Sequence, residues 1–143
     1  MDEQELETIE LELAILIRRT TSFSNHKKLG NLDRSAYLLL HQINAHNGSA
    51  GVKVLAEEFQ LDISTVSRQT ASLEKKEYVI RIPDPLDGRA YFLQITDLGK
   101  KELFQYKEAR MERVSEVIES WPDEDRKSFG RLLKKFNRSA INK

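Results

Sequence analysis

The chain of 143 residues has no cysteine, no net charge, no long apolar run, and three prolines confined to Pro83, Pro85 and Pro122. Each shortage excludes something. Without cysteine there are no disulfides and no thiolate metal sites. Without a run of about 18 apolar residues no membrane-spanning helix is expected, and no charged-then-apolar leader is visible, so the expected location is cytoplasmic. A formal charge of +0 argues against indiscriminate coating of nucleic acid, yet it suits a protein that touches DNA with one face. Glycine-rich phosphate loops, nucleophile elbows and paired-ligand motifs are missing, and Ser64, Ser67 and Ser72 lack a sequence-local activating partner, so no enzyme is expected. His26, His41 and His46 offer no one-turn helical pair beside a carboxylate, and no metal site or cofactor is expected. What remains is 39% hydrophobic and 32% charged, an ordered and helix-rich profile in a chain long enough for one domain with a real core.

The most informative stretch runs from Leu55 to Glu74 and reads as two short helices joined by a tight turn. Ile63, Val66, Thr70 and Leu73 recur at spacings of three and four, which puts them on one helical face. Ser64, Thr65, Arg68 and Gln69 then point the other way. Asp62 stands where its carboxylate can accept from a free backbone N–H and complement the helix dipole, so the helix should begin at about Ile63. Alone, such a helix is most often a surface element whose polar side merely meets water. The segment beyond Lys76 gives that side a purpose.

From there the pattern becomes extended. Residues 78–82 and 89–95 are rich in β-branched and aromatic side chains, and Pro83-Asp84-Pro85-Leu86-Asp87-Gly88 between them is dense in turn formers. This predicts a β-hairpin whose tip is kept off the sheet ladder by Pro83 and Pro85, with Asp87-Gly88 suited to a turn needing positive φ. Arg81 and Arg89 fall on the arms and tip. A helix-turn-helix continued at once by a basic hairpin describes a winged helix, whose second helix enters a major groove while the wing reaches the flanking backbone or minor groove.

Leu55-Ala56, the run from Asp62 to Arg68, Leu73-Glu74-Lys75-Lys76, Asp84-Pro85-Leu86-Asp87-Gly88-Arg89-Ala90 and Leu93-Gln94-Ile95-Thr96-Asp97-Leu98-Gly99 together resemble the MarR family of bacterial transcriptional regulators. The resemblance covers nearly the whole chain, and the wing pattern is its most specific part. It implies a mainly α fold with a small β-hairpin wing, in which residues 31–96 form a winged-helix DNA-binding lobe and residues 1–30 and 97–143 mainly dimerise, all within a single domain. Lack of cysteine excludes the thiol-based peroxide sensing of some relatives. One departure is visible: Glu77 stands where the family usually has a glycine, which suggests a differently shaped or mildly strained helix end.

The flanks fit pairing of two chains. Leu6, Ile9, Leu13, Leu16 and Ile17 recur with helical spacing; Leu38, Leu39, Leu40 and Ile43 mark a second helix with Asn31 or Asp33 as its start signal. Thr96-Asp97 opens a long helix that breaks at Trp121-Pro122-Asp123, and Phe129, Leu132, Leu133 and Phe136 stripe the last one. These stripes could pack within one chain; the resemblance implies instead an interlocked homodimer, with two recognition helices about 10 base pairs apart on an inverted repeat. The first helix is acidic, whereas Arg68, Lys75, Lys76, Arg81 and Arg89 concentrate on the helix and wing.

The expected function is a sequence-specific DNA-binding regulator, a repressor released by a small and often aromatic ligand. The alternative is a winged-helix module that binds protein. Ser64, Thr65, Ser67 and Gln69 can meet phosphates or base edges, and Arg68 suits either a guanine or a phosphate. Arg89 matches the family arginine that reaches the minor groove, with Asp87 or Asp84 holding its guanidinium. Tyr37, His41, Phe104 and Tyr106 are the candidates to line an effector crevice, although helical aromatics are more often core.

Overall fold

The computed structural model describes residues 1–26 and 32–141, with side chains for 1–20 and 32–141; Asn31, one of the two candidate start signals, lies outside the described residues. The order is α1 (Glu3–His26), α2 (Arg34–Ala45), β1 (Ser49–Gly51), α3 (Val52–Phe59), α4 (Ile63–Lys75), β2 (Val79–Asp84), β3 (Asp87–Ile95), α5 (Asp97–Ile118) and α6 (Asp123–Ile141). The strands form one antiparallel sheet in the order β1-β3-β2. The fold is therefore mainly helical with a small sheet carrying a wing. Strand β1 was not anticipated, because Ser-Ala-Gly carries no strand propensity; it exists because Ala50 pairs with Leu93 and is buried there.

The core lies where α2, α3 and α4 meet the sheet. Leu40 and Ile43, Leu55, Val66 and Thr70 and Leu73, Val79 and Leu93 are its most deeply buried side chains. Thr70 is tolerated there because its hydroxyl donates to the Ser67 carbonyl at 3.1 Å. Ile63, expected on the same buried stripe, is 54% exposed. A helical side chain leans toward the preceding turn, and at the first residue of α4 no preceding turn covers the core.

Helix ends explain how α4 is held. Asp33 caps α2 by accepting from the Ala36 N–H at 2.8 Å. Asp62 occupies the corresponding place before α4 but makes no side-chain capping bond, so its contribution there is charge alone. At the turn between α3 and α4, Gln60 adopts φ +55° while its N–H donates to Glu57 and that of Leu61 to Ala56. The same closure recurs after α4: Glu77 sits at φ +64°, its N–H donates to the Glu74 carbonyl at 2.9 Å, and that of Tyr78 to Leu73 at 3.0 Å. The helix end is thus left-handed, and a glutamate bears the conformation that glycine adopts without cost.

The long fifth helix starts on that closure. Thr96 accepts from the Gly99 N–H at 3.0 Å, donates its hydroxyl to the Glu77 carbonyl at 2.7 Å, and donates its own N–H to the Tyr78 carbonyl at 3.0 Å. A Cβ on Gly99 would stand 2.2 Å from the Tyr78 carbonyl oxygen, so only glycine allows the approach. The first turns of α5 belong to the lobe, with Leu103 and Tyr106 buried. Beyond them the helices are open: α6 buries no residue, and among the described residues α1 packs only marginally against the rest of the chain.

Candidate nucleic-acid interface

On α4 the buried Val66, Thr70 and Leu73 fix which side faces outward. Ser64 and Arg68, one turn apart, are exposed at the centre of that side; Thr65, Ser67 and Gln69 flank it and are half-buried. Ser72 and Lys75 extend the exposed row toward the end of the helix; the sequence marks Lys75 only as one of the basic residues of the segment, and Ser72 is missing from the candidate DNA-contacting residues. Their signal was available in the spacing 64, 68, 72, 75, which continues one helical face. Among the described residues, Arg68 has no ion pair and no side-chain hydrogen bond within the chain. A guanidinium left unpaired on a convex helix face keeps all five of its donors for a partner.

The wing differs from expectation in its turn. Asp84 pairs with Asp87, so the reversal is made by Pro85-Leu86, and neither Asp87 nor Gly88 adopts positive φ. Pro83 pairs with Tyr91 and lies inside the ladder rather than ending it, which is possible because β2 is an edge strand. The step from Pro83–Tyr91 to Asp84–Asp87 leaves Gly88, Arg89 and Ala90 without partners on β2. Arg89 therefore stands on a looped-out segment near the tip.

The two aspartates also act otherwise than expected. Asp87 accepts from the Arg89 backbone N–H at 3.0 Å and Asp84 from that of Leu86 at 2.9 Å. They shape the backbone of the tip, and neither holds the Arg89 guanidinium, which is exposed. Arg81, counted among the basic residues of the wing, is engaged elsewhere. Its Nε–H donates to both carboxylate oxygens of Glu74, at 2.8 and 2.9 Å, and its guanidinium lies 4.1 Å over the Tyr91 ring. The hydrogen bond to Glu74 raises its pKa above the usual value, so this charge is already engaged by a carboxylate within the chain.

Of the four candidates for an effector crevice, the structure separates two from two. His41 and Phe104 line an open recess of about 420 Å³ between α2 and α5, together with Asn44, Ala45, Leu103, Lys100 and Lys107. Tyr37 and Tyr106 do not line it. Their rings stack on each other at 4.7 Å, and Tyr106 is buried, so they are packing residues of the lobe. Among the described residues no group of three or more His, Asp or Glu side chains is placed to hold a metal ion, and no helix is long and apolar enough to cross a membrane.

A model of the MarR family matches residues 32–91, which spans the helix pair, α4 and most of the wing. An uncharacterised HTH-type transcriptional regulator of Bacillus subtilis, YxaD, is 45% identical over 138 residues, covering 96% of each chain. Among solved structures, a MarR protein from Peptoclostridium difficile superposes with a TM-score of 0.77 at 24% identity, covering 94% of this chain and 88% of its own. The organohalide-sensing regulator RdhR-CbdbA1625, solved with 2,4-dichlorophenol bound, gives 0.75 at 17% identity, covering 99% and 86%.

Proposed function

The chain belongs to the MarR family of HTH-type transcriptional regulators, non-enzymatic DNA-binding proteins, and we propose that it is a repressor that binds an inverted-repeat operator as a homodimer and is released by a small ligand. The observation that carries this reading is the pairing of two unsatisfied surfaces on one scaffold. One is polar and basic: Ser64, Arg68, Ser72 and Lys75 on α4, with Arg89 on the looped-out wing. The other is apolar: Leu6, Ile9 and Leu16 on α1, Met111, Val114 and Val117 on α5, and Leu132 and Phe136 on α6 are all exposed.

Long helices with an open apolar stripe draw their stability from packing, and a second copy related by a two-fold axis is the simplest partner. A dimer built this way presents two α4 helices to successive major grooves about 10 base pairs apart. In this reading Arg68 meets a guanine or a phosphate, Ser64, Thr65, Ser67 and Gln69 set its surroundings, and Arg89 reaches the minor groove at the flank. Asp87 contributes by shaping the backbone that carries Arg89. The chain acts in the cytoplasm as a single domain.

For the effector, the recess between α2 and α5 is the supported place. His41 and Phe104 offer aromatic surface, and Lys100 and Lys107 favour a ligand with a negative charge, so a small aromatic acid fits best. Ligand entry between a dimerisation helix and the lobe would act by favouring one spacing of the two α4 helices over another.

The test is fluorescence anisotropy with labelled DNA from the region upstream of its own gene, over a salt titration. Tight binding confined to a short inverted repeat, weakening steeply with salt, is the expected result. Weak, sequence-blind binding at all salt concentrations would refute the regulator reading and favour a protein-binding winged helix.

A further inference from the structure

The contact among Glu74, Arg81 and Tyr91 joins three elements. Glu74 stands on the last turn of α4, Arg81 on β2 and Tyr91 on β3. Arg81 is the common partner of the other two. The carboxylate takes the Nε–H of Arg81 in a bifurcated bond at 2.8 and 2.9 Å, and the guanidinium carbon stands over Tyr91, 4.1 Å from the ring centre. Tyr91 is also the last residue of β3 in regular register before the looped-out Gly88-Arg89-Ala90. The contact therefore ties the recognition helix to the wing at the last regular rung before the register shifts.

Side-chain exposure of 52% for Arg81 and 24% for Glu74 makes this a poor source of stability, since exposed ion pairs contribute little. It is well placed for geometry instead. Leu93, paired with Arg81, is fully buried and Tyr91 packs against the edge of the core, whereas Ile80, Ile82 and Phe92 are turned to solvent; the contact therefore adds a charged tie between α4 and the hairpin at the edge of its buried face. We propose that Glu74, Arg81 and Tyr91 are positioning residues for DNA recognition, a strut that fixes the angle between α4 and the wing so that Arg68 and Arg89 meet one duplex together. The proposal rests on the DNA-binding reading above. Its effect is preorganisation: binding need not then order the wing.

The test uses the full-length protein and labelled DNA from upstream of its own gene, read by anisotropy. Glu74→Gln should weaken binding about fivefold, the scale of one exposed ion pair plus a cation–π contact. The sign is diagnostic, because deleting an acidic charge near DNA would by itself tighten binding. In an Arg89→Ala background the same substitution should change nothing further, since the strut acts through the wing. Tyr91→Phe, which keeps the ring, should bind as the wild type, and Tyr91→Leu should weaken about fivefold.

Binding by Glu74→Gln equal to or tighter than wild type overturns the strut while leaving the regulator reading intact. So does an equal loss with and without Arg89, which would mark general damage to the fold. Arg81→Gln lowering the salt slope by about one, with Glu74→Gln silent, overturns it in favour of a direct phosphate contact by Arg81. A wild-type protein that binds none of this DNA specifically overturns the regulator reading and the strut with it.

Discussion

Replacing Glu77 by glycine should stabilise the protein. Glu77 is held at φ +64° by the closure of α4, in which its N–H donates to Glu74 and that of Tyr78 to Leu73. An L-residue with a Cβ is disfavoured there by about 1–2 kcal/mol. Glycine removes that strain but has more freedom to lose on folding, which offsets about 0.5–1 kcal/mol. The Glu77 carbonyl, which accepts from Thr96, is backbone and survives the change. The net expectation is a gain of about 0.5–1 kcal/mol, or about 2–4 °C in Tm for a chain of this size. Urea titration at fixed protein concentration is the assay, because the apparent stability of the proposed dimer would depend on concentration. Glu77→Ala keeps the strain and should leave stability nearly unchanged, which separates the backbone effect from loss of the side chain. A destabilised Glu77→Gly, or equal gains for Ala and Gly, would refute the reasoning.

Gly99→Ala, which in an ordinary helix would help, should destabilise by about 1–3 kcal/mol because its Cβ meets the Tyr78 carbonyl; thermal melting reads this. Leu132→Asp on the open stripe of α6 should yield monomers by analytical ultracentrifugation and lose operator binding, while retained dimers would reject that stripe as the pairing surface. Arg89→Ala should weaken operator binding by about 1–3 kcal/mol and lower its salt dependence without affecting Tm; unchanged binding across the salt titration would remove Arg89 from the interface. Benzoate, as a probe aromatic acid, should raise the melting temperature of the wild type and not of a Lys100→Ala/Lys107→Ala variant, with an equal shift in both arguing against the recess.

Periodicity along the chain was legible without coordinates, and so was the place of the wing turn, although not its type. The start of α4 at Ile63, the wing strands, the break at Trp121-Pro122-Asp123 and the apolar stripes of α1 and α6 all come from residue spacing, and so did the family resemblance and the outward face bearing Ser64 and Arg68. Even the unusual helix end was signalled by Glu77 in place of glycine. The sequence therefore determined what kind of protein this is and which helix carries its polar face.

Tertiary structure decided what each charged or aromatic side chain is used for. Arg81 and Arg89 look alike in the sequence, yet Arg81 is clamped between Glu74 and Tyr91 while Arg89 stands on an unpaired segment. Tyr106 and Phe104 are two residues apart on α5, but one is buried against Tyr37 and the other lines an open recess. Asp84 and Asp87 shape the wing backbone rather than hold its arginine. These outcomes depend on which segments, distant along the chain, are brought within hydrogen-bonding or stacking distance. Spacing along one helix or strand fixes a side chain's direction, but only the packing of elements against each other supplies its partner.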